Sequence, residues 1–179
     1  MRHELERDPA LWDAFVAASA DPSYLQVTAW AAIKAPDGWV SLRVAVGGAH
    51  GPIGGQVLVQ RPRPSPWGMG YMPRGPVSTG SLTPSDVPAF TERLRKVARM
   101  KRLTYVRIEP EVEAGAGVED ALRSAGWVAA PHVQPETTRI VDMSVPKAEV
   151  WAGLQRKARQ SVNKSERQGV RVVDADASR

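Results

Sequence analysis

The sequence predicts a mixed α/β fold, a sheet flanked by helices, and three observations carry that expectation. Helical periodicity and β-rich runs alternate along the chain: Val87, Phe90, Leu94 and Val97 step by three, four and three residues and lead into the strand-like Leu103-Thr104-Tyr105-Val106-Arg107-Ile108. Hydrophobic residues make up 42% and charged residues 24% of the 179, a balance suited to one folded domain but crowded for two. Gly and Pro, 15 of each, fall short of the share that marks low complexity.

The elements follow in order. Asp8-Pro9 pairs an N-cap with proline at the first helical position, and Leu11, Trp12, Phe15 and Val16 then mark an amphipathic helix near 9–19. Leu25 to Lys34 is a second short helix or an irregular segment, stopped by Pro36-Asp37-Gly38. Trp39 to Val46 and Gln56 to Arg61 read as antiparallel strands, with the glycine-rich 47–55 stretch as their connection. The prolines of Arg61-Pro62-Arg63-Pro64-Ser65-Pro66 remove backbone donors, so this run is expected to be an extended loop before a strand beginning at Trp67. Thr83-Pro84 opens the helix near 84–101, strand 103–108 ends at Glu109-Pro110, and a helical stretch ends near Gly126. A further strand is expected over Arg139 to Val145. Beyond it, a helix from Pro146 reaches a cap at Gly169 with a break allowed inside it, and Val170-Arg171-Val172-Val173 begins another strand.

Several chemistries are excluded. The chain has no cysteine, hence no disulfide, thiolate nucleophile or thiolate metal site, and His3, His50 and His132 form no ligand pair at helical spacing. No metal is expected. No apolar run approaches the roughly 20 residues of a membrane span, and the charged start Arg2-His3-Glu4-Leu5-Glu6-Arg7 does not read as a signal peptide, so a cytoplasmic location is expected. Neither a Gly-x-Ser-x-Gly elbow nor a phosphate-binding Gly-Lys-Ser/Thr loop occurs.

Three groups of residues could carry chemistry. On the last helix Val150, Trp151, Leu154, Ala158 and Val162 fall on one face, while Arg156, Arg159, Asn163 and Arg167 lie opposite with Lys157 and Lys164 on the shoulder. Charge pattern alone fits an ordinary solvated face; repeated arginines, whose planar forks grip two oxygens, favour a phosphate partner. The Gly-rich Gly68 to Val77 segment carries Arg74, which could meet an anion, although tight turns use the same composition. Glu109, Glu111, Asp120 and Asp142 stand near strand ends, where each serves as a general base or, more simply, as a cap or ion-pair partner. Trp12 and Trp151 are expected in the core.

Read together and in order, these segments resemble the Fem-type (FemABX) aminoacyltransferases. Gln26, Trp30 and Lys34 match that family's glutamine-x-x-x-tryptophan-x-x-x-lysine segment, and Pro73-Arg74-Gly75-Pro76 its most distinctive turn. Arg107-Ile108-Glu109-Pro110-Glu111 is similar to its strand-end isoleucine-aspartate-proline, with glutamate in place of aspartate. Gln134 to Thr138 with Val141-Asp142-Met143 resembles the next strand, and Arg156 to Lys164 through Gly169-Val170 its basic helix and following strand.

The resemblance implies two GNAT-like lobes: residues 1–145 as the first, and 146–179 as the basic helix and first strand of an incomplete second, in a truncated form of the protein. It implies transfer of an amino acid from aminoacyl-tRNA to the stem peptide of a UDP-linked or lipid-linked peptidoglycan precursor, with no cofactor. Lys34, Arg74 and Arg159 would bind the precursor in one anionic cleft. Arg156, Lys157, Asn163, Lys164 and Arg167 would contact tRNA or phosphate, and Glu109 would be a polar site residue; no catalytic base is implied. Two other readings compete: a GNAT-like enzyme using acyl-CoA, which should carry a Gln/Arg-x-x-Gly-x-Gly/Ala turn absent here, and a non-catalytic basic lobe binding RNA or a phosphorylated ligand.

Overall fold

In the computed structural model, which describes residues 2–113, 115–135, 141–142 and 144–173, the Asp8 carboxylate accepts the backbone N–H groups of Ala10 (2.8 Å) and Leu11 (3.2 Å) and starts helix α2, Pro9–Ala17. This is the N-cap that the sequence predicts. A helix not foreseen, α1 (Arg2–Arg7), precedes it. The 25–34 segment resolves into a 3-10 turn, Tyr24–Gln26, and helix α3, Thr28–Lys34.

Strands β1 (Val40–Gly48) and β2 (Gly51–Gln60) pair antiparallel from Val40 opposite Val59 to Gly48 opposite Gly51. The expected glycine-rich connection is therefore a turn at Ala49-His50, and the glycines lie inside the strands. Packing is the reason. A Cβ at Gly54 would come within 3.0 Å of Trp12 and 3.1 Å of Phe15, and one at Gly55 would run into the Met72 sulfur, so these positions admit large neighbours where other residues would hold them off.

Strand β3 (Gly68–Met72) continues the sheet antiparallel to β2, and β5 (Leu103–Ile108) runs parallel to β3. Parallel neighbours need a crossover, and it is supplied by helix α4, Val87–Met100. The strand order is β1-β2-β3-β5, with the short β4 (Val77–Ser78) also paired to β2. Phe90, Leu94 and Val97 of α4 are buried with Val44, Val57, Val59 and Met72 on one face of the sheet. A smaller cluster of Trp12, Phe15, Val16 and Val77 is also buried, with the Trp12 and Phe15 rings over Gly54. Helix α5 (Val118–Ser124) follows, and Gly126 adopts φ 85° just beyond it, the left-handed conformation expected of a helix-ending glycine.

The chain divides into two units, Met1–Pro135 and Glu136–Arg179, where the sequence reading sets its boundary at 145/146. In the second unit the described residues depart from the sequence reading at several points and agree with it at one. Of the strand expected over Arg139 to Val145, Arg139, Ile140 and Met143 lie outside the described residues, and Val141, Asp142, Ser144 and Val145 are not in a strand. Val170 to Val173 are not in a strand either. The allowed break in the last helix is real: α6 (Lys147–Gly153) and α7 (Arg156–Arg167) are separated by Leu154 and Gln155, whose ψ angles of 144° and 147° are extended. The five apolar residues placed on one helical face thus belong to different elements. Trp151, expected in the core, is 36% exposed.

Candidate functional site: a cationic, aromatic cavity

The face of the sheet opposite α4 carries a cavity of about 420 Å³ within the first unit. Its floor follows from strand alternation. Successive side chains point to opposite faces, so Tyr105 and Arg107 of β5 share the side away from the α4 core with Met69 and Tyr71 of β3, which stand opposite them in register. Leu58 of β2, opposite Tyr71, extends the floor. Trp30 and Lys34, one helical turn apart on α3, form a wall with Trp39, and Val133 and Gln134 close another side.

Two buried glutamines set that geometry. Gln26, fully buried, accepts the Gln56 backbone N–H through Oε1 at 2.6 Å and donates through Nε2 to the Pro73 carbonyl at 2.5 Å. Gln56 in turn donates through Nε2 to the Val27 carbonyl at 2.9 Å, and the Trp12 indole N–H donates to the Gln26 carbonyl at 2.7 Å. The start of α3, the middle of β2 and the Pro73-Arg74 turn are thereby held together. Gly75 packs against Gln26, where a Cβ would approach the side-chain amide to 2.9 Å.

The described residues lining the cavity include two cations, Lys34 and Arg107, and no carboxylate. Lys34 Nζ lies 5.2 Å from the Trp30 ring centroid and 3.6 Å from Asp37 Oδ2. The Arg107 guanidinium donates to the Pro131 carbonyl at 2.7 Å, which orients it. The Tyr71 hydroxyl donates to Glu109 Oε2 at 2.6 Å and accepts from Gln134 Nε2 at 3.0 Å. Burial, and then the hydrogen bond to Glu109, push the phenol up to about 12, so it stays protonated at neutral pH. The cavity can therefore present positive charge and flat aromatic surface to an anionic ligand.

The sequence-predicted residues are distributed unevenly. Lys34 lines the cavity. Arg74, at φ 48°, instead donates to the Pro135 carbonyl at 2.7 Å and pairs with Glu111 at 3.2 Å. Glu109 works as a fastener: one oxygen takes the Tyr71 hydroxyl and the other the Val133 N–H at 2.7 Å. Asp142 accepts from the Ser144 N–H and hydroxyl, as a local cap. In the second unit Arg159 Nη1 donates to the carbonyls of Ala152 (2.8 Å) and Leu154 (3.0 Å), closing the end of α6. Arg156, Lys157, Asn163, Lys164 and Arg167 are exposed along α7. Sequence reasoning missed Arg107, Tyr105 and Trp39 as cavity residues. The signal for the first two was the period-two alternation of 103–108, which sets them on one face.

Residues 9–120 match the model of the FemAB family. Among curated proteins, a lipid II:glycine glycyltransferase of Staphylococcus haemolyticus is 31% identical over 173 residues, covering 89% of this chain and 41% of the relative. One from Staphylococcus aureus (strain MRSA252) is 27% identical over 176 residues, covering 92% and 41%. The chain thus spans 41% of the length of these relatives. The crystal structure of FemX shares the fold at a TM-score of 0.72 and 24% identity, over 94% of this chain and 44% of that one.

Proposed function

The chain belongs to the FemAB family, and from that premise we propose that it serves aminoacyl transfer in peptidoglycan cross-bridge synthesis, its first unit binding the acceptor precursor. The observation that carries this reading is the cavity in which Lys34 and Arg107 stand among Trp30, Trp39 and Tyr105 with no lining carboxylate. A precursor bearing phosphates and a sugar–peptide body matches that lining in charge and in apolar contact. The names of the relatives point to glycine as the transferred residue and to a lipid-linked acceptor. Among the described residues no helix is long and apolar enough to cross a membrane; in this reading a lipid-linked acceptor is met at a membrane surface.

The donor in this reading is aminoacyl-tRNA, and the exposed Arg156, Lys157, Asn163, Lys164 and Arg167 of α7 are its phosphate contacts. An aminoacyl ester is already activated, so the chemistry asks for no cofactor. The neutral acceptor amine attacks the ester carbonyl, a C–N bond forms, the C–O bond to the ribose breaks, and the amine's proton is passed to the leaving hydroxyl. The protein's part is to position the two reactants and stabilise the negative charge that develops on oxygen.

Titration of the 179-residue protein with a soluble UDP-linked muropeptide tests the acceptor site. Lys34→Ala and Arg107→Ala should each weaken binding by about 1–3 kcal/mol if they make charge-assisted contacts with phosphate or carboxylate. Arg159→Ala, carried over from the family resemblance, belongs in the same series. Affinity unchanged by both cavity variants rejects the assignment.

A further inference from the structure

At the end of the sheet where β1, β3 and β5 begin and β2 ends, exposed apolar and cationic side chains lie on both faces, with Val40, opposite Val59, on the α4 side and Tyr105 on the cavity side. The register ties this end together: Val40 stands opposite Val59, Gln60 opposite Met69, and Gly68 opposite Leu103. The Gly68 N–H donates to the Arg102 carbonyl at 3.0 Å and the Arg61 guanidinium to the Lys101 carbonyl at 2.7 Å, which seats the proline-rich 61–67 loop against the α4–β5 turn.

Four large apolar side chains are exposed here: Val40 by 61%, Trp67 by 52%, Met100 by 67% and Tyr105 by 56%. Five basic residues, Arg61, Arg63, Arg99, Lys101 and Arg102, all exposed, lie on the 61–67 loop and the α4–β5 turn that carry Trp67 and Met100. Neither 60–68 nor 97–108 contains an acidic residue. Asp37, the acid nearest Val40 in sequence, is paired with Lys34 at 3.6 Å.

A helix C-terminus attracts cations, which accounts for Arg99, Lys101 and Arg102 at the end of α4. It accounts neither for Arg61 and Arg63 on the opposite loop nor for Trp67 and Met100 standing in water beside them.

We propose that this end of the first unit is a peripheral docking surface for an anionic phospholipid bilayer, with Trp67, Met100, Val40 and Tyr105 entering the headgroup boundary and the basic residues meeting lipid phosphates. Aromatic and alkyl side chains rimmed by Arg and Lys are what an interfacial surface requires. The flexible thioether of Met100 and the isopropyl group of Val40 find apolar contact in lipid and none on a phosphodiester backbone, which favours a bilayer over RNA. Tyr105 belongs both to this surface and to the cavity lining, so docking brings the cavity mouth to the headgroups. That use rests on the lipid-linked acceptor proposed above; the surface itself does not.

The test is co-sedimentation of the 179-residue protein with precursor-free vesicles of phosphatidylcholine, with and without phosphatidylglycerol. Binding should require phosphatidylglycerol and weaken with salt. At about fivefold per basic residue, Arg63→Gln combined with Lys101→Gln should lower partitioning on the order of twentyfold. Trp67→Ala should lower it further, including at high salt. Absence of phosphatidylglycerol-dependent binding by the unaltered protein overturns the proposal without any variant. Binding insensitive to both variants also overturns it, as does loss of tRNA binding by the variants in a protein that ignores vesicles, which would assign the surface to RNA. Muropeptide affinity should be unchanged by these substitutions, so failure of vesicle binding and failure of the acceptor reading are separately visible.

Discussion

The Tyr71 hydroxyl donates to Glu109 Oε2 at 2.6 Å while Glu109 Oε1 accepts the Val133 N–H at 2.7 Å, so one carboxylate fastens strand β3, the end of β5 and the loop beside the cavity. Tyr71→Phe removes one of these bonds and should cost about 1–3 kcal/mol of stability at neutral pH.

The same pair has a pH signature. Burial, followed by the Glu109 hydrogen bond, raises Tyr71 from 10.0 to about 12. A group raised in the folded state contributes fully below its unfolded value and loses that contribution as pH rises through the folded one. The stability difference between the unaltered protein and Tyr71→Phe, measured by urea denaturation, should therefore hold below pH 10 and shrink between 10 and about 12. A constant difference across that window contradicts the assignment.

Gln26→Leu should be among the more damaging single substitutions. It keeps the volume roughly intact but strands the buried Gln56 N–H and Pro73 carbonyl, each of which loses a partner at 2.6 or 2.5 Å. The expected loss is about 2–5 kcal/mol by chemical denaturation. Because the same bonds position α3, muropeptide affinity should fall in parallel.

Asp86 links the β1–β2 turn to the start of α4: Oδ1 accepts the Ala49 N–H at 3.1 Å, and Oδ2 accepts the Thr83 N–H at 3.0 Å and hydroxyl at 2.6 Å. Burial works to raise its carboxyl, but the bonds from Thr83 and Ala49 together outweigh burial and hold it below its ordinary value of 3.8. Its contribution is thus present above 3.8 and lost as pH falls through the lower folded value. Asp86→Ala should cost about 1–2 kcal/mol at neutral pH. In acid denaturation series its deficit should narrow below pH 3.8.

Gly54→Val should destabilise the protein by about 1–3 kcal/mol, since its side chain enters space that Trp12 and Phe15 occupy within 3.0 and 3.1 Å of the Cβ position. Thermal melting of Gly54→Val beside Gly47→Ala, where a Cβ meets nothing within 4 Å, separates crowding from the general effect of replacing a strand glycine.

Local chemistry made much of this protein legible in advance. The Asp8-Pro9 and Thr83-Pro84 starts, the α4 periodicity and the β5 run depend on residues within one or two turns of each other, so the sequence states them directly. The order of the Gln26-Trp30-Lys34 and Pro73-Arg74-Gly75-Pro76 segments likewise pointed to the family that residues 9–120 match.

Tertiary structure decided the rest. Whether a glycine-rich stretch is a loop or a strand depends on what must pass close to it, and Trp12, Phe15 and Met72 come from elsewhere in the chain. Arg74 and Lys34 look equally available to an anion in sequence, yet Arg74 is turned to Glu111 and the Pro135 carbonyl while Lys34 lines the cavity. Arg107 becomes a cavity residue only because β5 lies parallel to β3 with Arg107 opposite Tyr71. Composition and periodicity specify which residues prefer water or core and which backbone they favour; which side chains converge is set by strand register and long-range hydrogen bonds, and those form only when distant segments pack.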